Sequence, residues 1–475
     1  MLPEEKQVYL RAIEMAMDDG YYFKFIEIHT EQMTTAEAHR TCMFVYWHRI
    51  FLLGFENMLR SYGGVFSCIT VPYWNYVDHN ALFLSGACGS MEDCAPILRE
   101  IGGSRRGVPR TVEINGSPID GNCVNVPPAN HFCESSDLRG NACAGCIPRG
   151  EWSDTAFPPT TSVSSLMRQL FASPTIAQVS TNLEQGVHNT MHNSLGGAMM
   201  YLEAPADPIF FSHHSTIDLI HTIYYKCVVG NTEPMPLEAK LMDPRQFVQC
   251  PRRTPLGRGS PDRNVLLPQS NVQIRSGGVA EVALSVFVPS NPLYRFFAPL
   301  PRNYLSLSDV RDIGEFSYNY EIVGLLADMY TTCGGLTSFL PPLAEPGFGR
   351  SLREEQSAPS THELLEAVVV PSKTHDTWYS EALAAAVNAS SLSESADANA
   401  VPTALAEVEK MTCVFYDECR GKVRNFSPTF RQNFHLAGSS PCSKVLEDLQ
   451  SGKDRIAVPE WRSIFLRHFQ CDASV

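Results

Sequence analysis

The chain has 475 residues, of which 44% are hydrophobic and 19% charged, with a formal net charge of −14. That length exceeds one typical domain and supplies material for a large core. The acidic balance and the lack of any basic stretch argue against nucleic acid or an anionic membrane as partner, and no apolar run approaches the roughly 18 residues of a spanning helix.

The chain opens MLPEEKQVYLRAIEMAM, which reads as a helix start and not as a signal peptide. Either a leader has been removed or the protein is not secreted by that route. His29, His39 and His48 follow in IHTEQMTTAEAHRTCMFVYWHRIFLLGFE. His39 and His48 are two and a half helical turns apart, so they cannot face one ion from a straight helix. His39 is therefore expected on a loop before a helix that begins near Tyr46, with His48 in its first turn. The second cluster is His188 and His192 in EQGVHNTMHNSLGG, then His214 in DPIFFSHHSTIDLIH. His188 and His192 stand at i and i+4, on one face of a helix. The adjacent His213 and His214 cannot both point at one ion, so one of them packs or supports.

A lone HxxxH arises by chance, and a lone histidine is by default a satisfied core or surface residue. Here eight of fourteen histidines lie in these segments. Three imidazoles without neighbouring thiolate or carboxylate suit copper, zinc or iron. Two such sites imply a metal pair, and a metal pair implies chemistry on a small molecule such as dioxygen. The expected architecture is a mainly α fold, a helical bundle with histidines facing inward.

Fifteen cysteines are many for a cytosolic enzyme, and eight lie between Cys42 and Cys146. The stretch of about 85–150 reads as a loop-rich insertion tied by disulfides. Its Cys143–Cys146 CAGC is a weak zinc or redox signal beside that reading, and the odd count leaves at least one thiol unpaired. Sequons at Asn115, Asn388 and Asn425 fit the secretory pathway, as a secreted protein would require. After residue 265, NVQIRSGG, VAEVALSVFVP and FSYNYEIVGL alternate as strands do. Residues 1–340 are expected to form the histidine-bearing domain, 341–402 a low-complexity linker, and 403–475 a small helical region with four cysteines.

YWHRIFLLGFENML with VPYWNY, and VHNTMHNSLGGAMM with DPIFFSHHSTID, resemble the copper A and copper B signatures of the tyrosinase family, the type 3 copper proteins. The likeness covers roughly residues 20–225, interrupted by the insertion. It implies two copper ions that bridge dioxygen as peroxide. His29, His39 and His48 would bind one, and His188, His192 and His214 the other, with His213 as the non-ligand neighbour. The implied activity is ortho-hydroxylation of monophenols and oxidation of o-diphenols to o-quinones, with a phenolic small molecule and O2 as partners. A catechol oxidase without monophenolase activity, a hemocyanin-like oxygen carrier and a copper-free relative are the alternatives.

Three departures stand out. Tyr46 occupies a position where the family usually has Pro, and His221 one where it usually has Trp, so His221 is read as a core replacement. Residues 30–38 hold no cysteine, so no thioether to a ligand ring is expected. Glu184 and Asn189 resemble the pair that holds a water able to take a phenol's proton, a step needed because phenol ionises near pH 10. An exposed helix Glu and a locally bonded Asn are the plain alternative. Asp218 and Glu56 are candidates to support the ligands or to form buried ion pairs, and Phe210 to line the ring pocket or simply pack. Tyr201 and Leu202 would lie over the metals. Tyr318–Asn319–Tyr320 resembles a tyrosine motif of eukaryotic relatives, or is plain strand alternation. In some relatives a C-terminal domain covers the pocket.

Overall fold

Pro3 with Glu4 and Glu5 favours a helix start, and α1 runs Pro3–Asp18 in the computed structural model. The structure describes residues 2–138, 140–173, 175–253, 265–278, 282–334, 364, 366–370, 377–391 and 400–471. Gly20, at φ 79°, takes the left-handed conformation that separates α1 from α2 (Tyr21–Thr30). A short α3 (Gln32–Ala38) ends at His39, whose backbone is extended (φ −119°, ψ 145°). His39 therefore sits on the connection, as the spacing predicts. α4 (Phe44–Arg60) starts two residues earlier than expected, so His48 falls in its second turn. From Phe44 to Phe55 every residue of α4 is buried, which marks a helix at the centre of the core.

The buried helix Ile209–Tyr224, which carries His214, packs along α4. The turn Glu184–His188 and the helix Asn189–Leu195 bring in the other two histidines of the second cluster. The mainly helical fold read from the sequence is the fold observed.

The insertion is more ordered than the sequence reading allowed. β1 (Val108–Ile114) and β2 (Ser117–Val124) form an antiparallel hairpin, with Ile114 opposite Ser117 and Val108 opposite Cys123. Its turn is Asn115–Gly116, both at positive φ (49° and 81°), the two-residue turn that suits a right-twisted hairpin. β3 (Ile147–Arg149) adds to β2. Buried Arg149 clamps this sheet to the bundle through Asp207, at 2.7 and 3.0 Å. The Asp of the DP dipeptide thus anchors the insertion.

Beyond residue 265 the strands are two-residue pairings, among them Arg275–Ser276 with Leu284–Ser285. The expected linker falls mostly outside the described residues, but inside it Thr377–Ser391 is a helix. An Ala-rich run favours helix, and Trp378 packs on Phe465 with ring centres 5.1 Å apart. The long helix Ala400–Cys419 lies against Val163–Phe171, where Ser164 meets Thr412 at 2.9 Å and Ser165 donates to Glu409 at 2.8 Å. Its apolar residues join the main core, while Phe426, Phe430 and Phe434 form a small cluster of their own against Met200 and Leu202.

Fourteen cysteines form seven disulfides: 42–250, 88–94, 123–146, 133–143, 227–333, 413–442 and 419–471. Cys143 and Cys146 pair with different partners, not with each other. Cys68 is the free, exposed thiol.

Candidate metal centre

Each imidazole of the first cluster is aimed by a hydrogen bond on its Nδ1. His29 donates to the Leu202 carbonyl at 2.6 Å, His48 to the Phe44 carbonyl one turn back at 2.9 Å, and His39 is held by Thr35 at 3.1 Å from its hydroxyl. The three ring centres lie 4.8, 5.1 and 5.9 Å apart. All three Nε2 atoms are buried without a partner.

The second cluster depends on two glycine-bearing turns. In the turn before His188, a Cβ on Gly186 would come within 2.3 Å of Gln169 Oε1, the atom that accepts the Val187 N–H. After His192 the chain reverses at Gly196 and Gly197, both at positive φ (65° and 52°), which brings the Met199 carbonyl within 2.7 Å of His192 Nδ1. His188 Nδ1 donates to Asn189 Oδ1 at 2.9 Å. His188, His192, His213 and His214 then gather so that one ring nitrogen of each lies within 4.8 Å of the others, as holds for the three of the first cluster.

The clusters meet. His214 stacks on His48 with ring centres 4.2 Å apart and planes at 10°. His39 and His188 stand 6.4 Å apart. His213 lies on the far side, parallel to His188 and beside Tyr76. Two phenylalanines fill the seam: Phe44 touches His48 and His188, and Phe210 touches His29, His192 and His214. Phe210 thus packs against histidines of both clusters, and Phe44 was legible in the sequence only as the residue one turn before His48.

Burial lowers the pKa of every one of these imidazoles, His29 to about 4 and His192 to about 3, and neighbouring histidines lower His188 and His214 further. Neutral rings with Nδ1 held by a partner and Nε2 left free, as in His29, His39, His48, His188 and His192, have the form that ligates a metal; on His213 and His214 both ring nitrogens are buried without a partner. Orphaned nitrogens in a dry interior are otherwise costly. The donor set fits two imidazole-bound cations.

Glu184 is buried, and both its oxygens accept the Arg40 backbone N–H, at 2.7 and 2.9 Å; burial raises its pKa to about 8. It lines a cavity of about 180 Å³ with His39, Asn189, Leu202, Arg40, Arg253 and the segment Asn433–Leu436. Leu202 thus serves both as lining and as the acceptor for His29, whereas its neighbour Tyr201 is not part of that lining. Phe434 projects into this space, its ring centre 6.2 Å from His39 and 5.7 Å from His192. No spacing in the sequence links residue 434 to the histidines.

Asp218 is a buried ion-pair partner: it accepts from Arg49 Nε at 2.7 Å and from the hydroxyls of Tyr318 and Tyr320 at 2.5 and 2.6 Å. The Tyr–Asn–Tyr run is thereby a clamp on one carboxylate. Arg49 also donates to His221 Nδ1 at 2.8 Å, so His221 belongs to this network and not to either metal-ligating group. Glu56 corrects an expectation. Its carboxylate accepts the Val71 N–H at 2.9 Å and pairs with Arg60, lining a different cavity with Tyr9 and Trp74. Two turns beyond His48, α4 has carried it away from the site.

Residues 19–226 match the family model for the common central domain of tyrosinase. The central part of the chain is thus similar to the tyrosinase central domain. The chain is 30% identical over 195 residues to a tyrosinase-like protein of Pinctada maxima and 31% over 196 residues to tyrosinase-like protein 2 of Margaritifera margaritifera, 38% of this chain and 39% of each relative. It is 28% identical over 188 residues to tyrosinase ustQ of Aspergillus flavus, covering 48% of that protein. The chain thus spans about two fifths to half the length of these relatives. The two buried histidine clusters, where metal fits, lie within the matched residues.

Proposed function

We propose that this protein is a tyrosinase, oxidising monophenols and o-diphenols with O2 at a pair of copper ions. The observation that carries this reading is the facing of two imidazole clusters with inward, unpartnered Nε2 atoms, with Glu184 and Asn189 on the wall of the same cavity. His29, His39 and His48 would hold one ion and His188, His192 and His214 the other. His214 is preferred to His213 because its ring faces His48 across the seam. A bound copper pair supplies the redox chemistry that couples dioxygen to phenol oxidation.

The chain's own residues supply the rest. Asn189 orients the His188 ring through Nδ1 and shares the cavity wall with Glu184. Glu184, raised to about 8, is matched to accept a proton from a phenol that ionises near pH 10. Phe210 presents an apolar face for the ring, and burial keeps bulk water from the histidines. Phe434 holds the ring position in the full chain, so this form is latent. The disulfides and the family fit a protein of the secretory pathway.

Oxygen uptake by the copper-loaded protein with tyramine, primed by a trace of diphenol, tests the reading against a diphenol control. Sustained uptake on tyramine is the expected result. Uptake on the diphenol alone would mean a catechol oxidase, and no uptake even after Phe434→Ala would mean a carrier.

A further inference from the structure

Two guanidinium groups stand at the mouth of the histidine cavity, and among the described residues neither forms an ion pair. Arg40 follows His39 in the chain, and its Nη1 donates to the His435 carbonyl at 3.2 Å. Arg253 reaches the same wall from another segment and donates through Nη1 to the His39 carbonyl at 2.9 Å. Both are partly buried. The one acid in this lining, Glu184, is engaged by the Arg40 backbone N–H, which both its oxygens accept, and burial favours its neutral form. The wall is therefore cationic, and it holds two like charges where solvent screening is reduced. An incoming anion would relieve that repulsion.

The C-terminal segment displays what fits. The Phe434 ring lies over His39 and His192, and a few bonds further on the His435 carbonyl oxygen accepts from Arg40. An aromatic ring at the histidines and an acceptor oxygen at the arginine are thus held at once by one short stretch of chain. A phenol enters hydroxyl first, toward the histidines, so its opposite end faces the arginines.

We propose that the preferred substrate is a phenol carrying a carboxylate on a short side chain para to the hydroxyl, received by Arg40 and Arg253. This rests on the phenol-oxidising reading above. Charge-assisted bonds from guanidinium to carboxylate are the strong, directional kind, and the neutral amide of the same acid forgoes them.

The test uses the copper-loaded full chain carrying Phe434→Ala, and compares kcat/KM for 4-hydroxyphenylpropionate and its amide. The acid is expected to be favoured by about tenfold or more. Arg253→Gln and Arg40→Gln are each expected to bring that ratio toward parity, while Arg253→Lys retains part of it. Titration calorimetry of the same protein with 3-phenylpropionate and 3-phenylpropionamide, which have no hydroxyl to oxidise, reads the same preference without turnover. If phenylpropionate binds more tightly than its amide but neither phenol is oxidised, the carboxylate site stands and the oxidase reading falls. If acid and amide are equal in both assays, or the preference survives both Gln variants, the proposal is overturned.

Discussion

Phe434 and His39 are 395 positions apart in sequence and in edge-to-face contact in the fold, with their ring centres 6.2 Å apart and planes at 89°. The phenylalanine ends the short helix Pro428–Phe434, which Asn433 ties down by donating to the Met200 carbonyl at 2.9 Å, while Phe430 stacks behind it at 4.4 Å. A C-terminal side chain thus packs against histidines of both clusters and lines the cavity beside them.

Removing that ring should open the site. An aromatic pair contributes about 0.5–1.5 kcal/mol beyond its area, and Phe434 makes two with histidines. Phe434→Ala in the full chain is expected to raise diphenol oxidation by about tenfold or more. An unchanged rate, measured beside the unaltered protein at equal copper content, would show that the segment is no barrier.

Glu184 should set the balance between monophenol and diphenol. Glu184→Gln is expected to lower monophenol hydroxylation by about 10²-fold or more, the contribution of a positioned base, and diphenol oxidation far less. Its folded pKa is raised, so the group is a neutral acid below about 8 and a carboxylate above. The monophenol rate relative to the diphenol rate should therefore rise as pH passes upward through that value. Stability runs the other way: burial of Glu184 becomes more unfavourable as pH climbs from its ordinary range through about 8. A flat ratio across pH 6–9 (roughly three orders of magnitude in proton activity) would rule out the assigned role.

Metal content should respond cluster by cluster. His48→Gln removes one inward Nε2 from the first cluster and leaves the second intact. Elemental analysis after copper loading is expected to fall from two ions per chain toward one. Retention of two, or loss of both with native circular dichroism, would contradict the division into clusters.

The Asp218 network should matter for stability more than for metal. Asp218→Asn leaves Arg49 buried without its counter-charge beside Tyr318 and Tyr320. Breaking one side of a buried pair costs about 3–5 kcal/mol, read as a shift of the denaturant midpoint. A shift within error would mean that water or the tyrosines compensate the charge.

The sequence by itself determined what is local or periodic. The i, i+4 spacing put His188 and His192 on one face, and the nine-residue gap put His39 on a connection. Asn115–Gly116 is an equally local signal, a two-residue turn with both residues at positive φ. Alternation misled beyond residue 265: Val282, Leu284 and Val286 would share one face of a strand, yet the first two are exposed and the third is buried, and the described pairing here spans two residues.

Tertiary structure alone decided the rest. That Asp218 pairs with Arg49 while Glu56 is carried off to another cavity, that Arg253 reaches His39, and that Phe434 covers the histidines all depend on segments far apart in the chain. Such contacts follow from how helices bury their apolar faces together, and no spacing along the sequence encodes them.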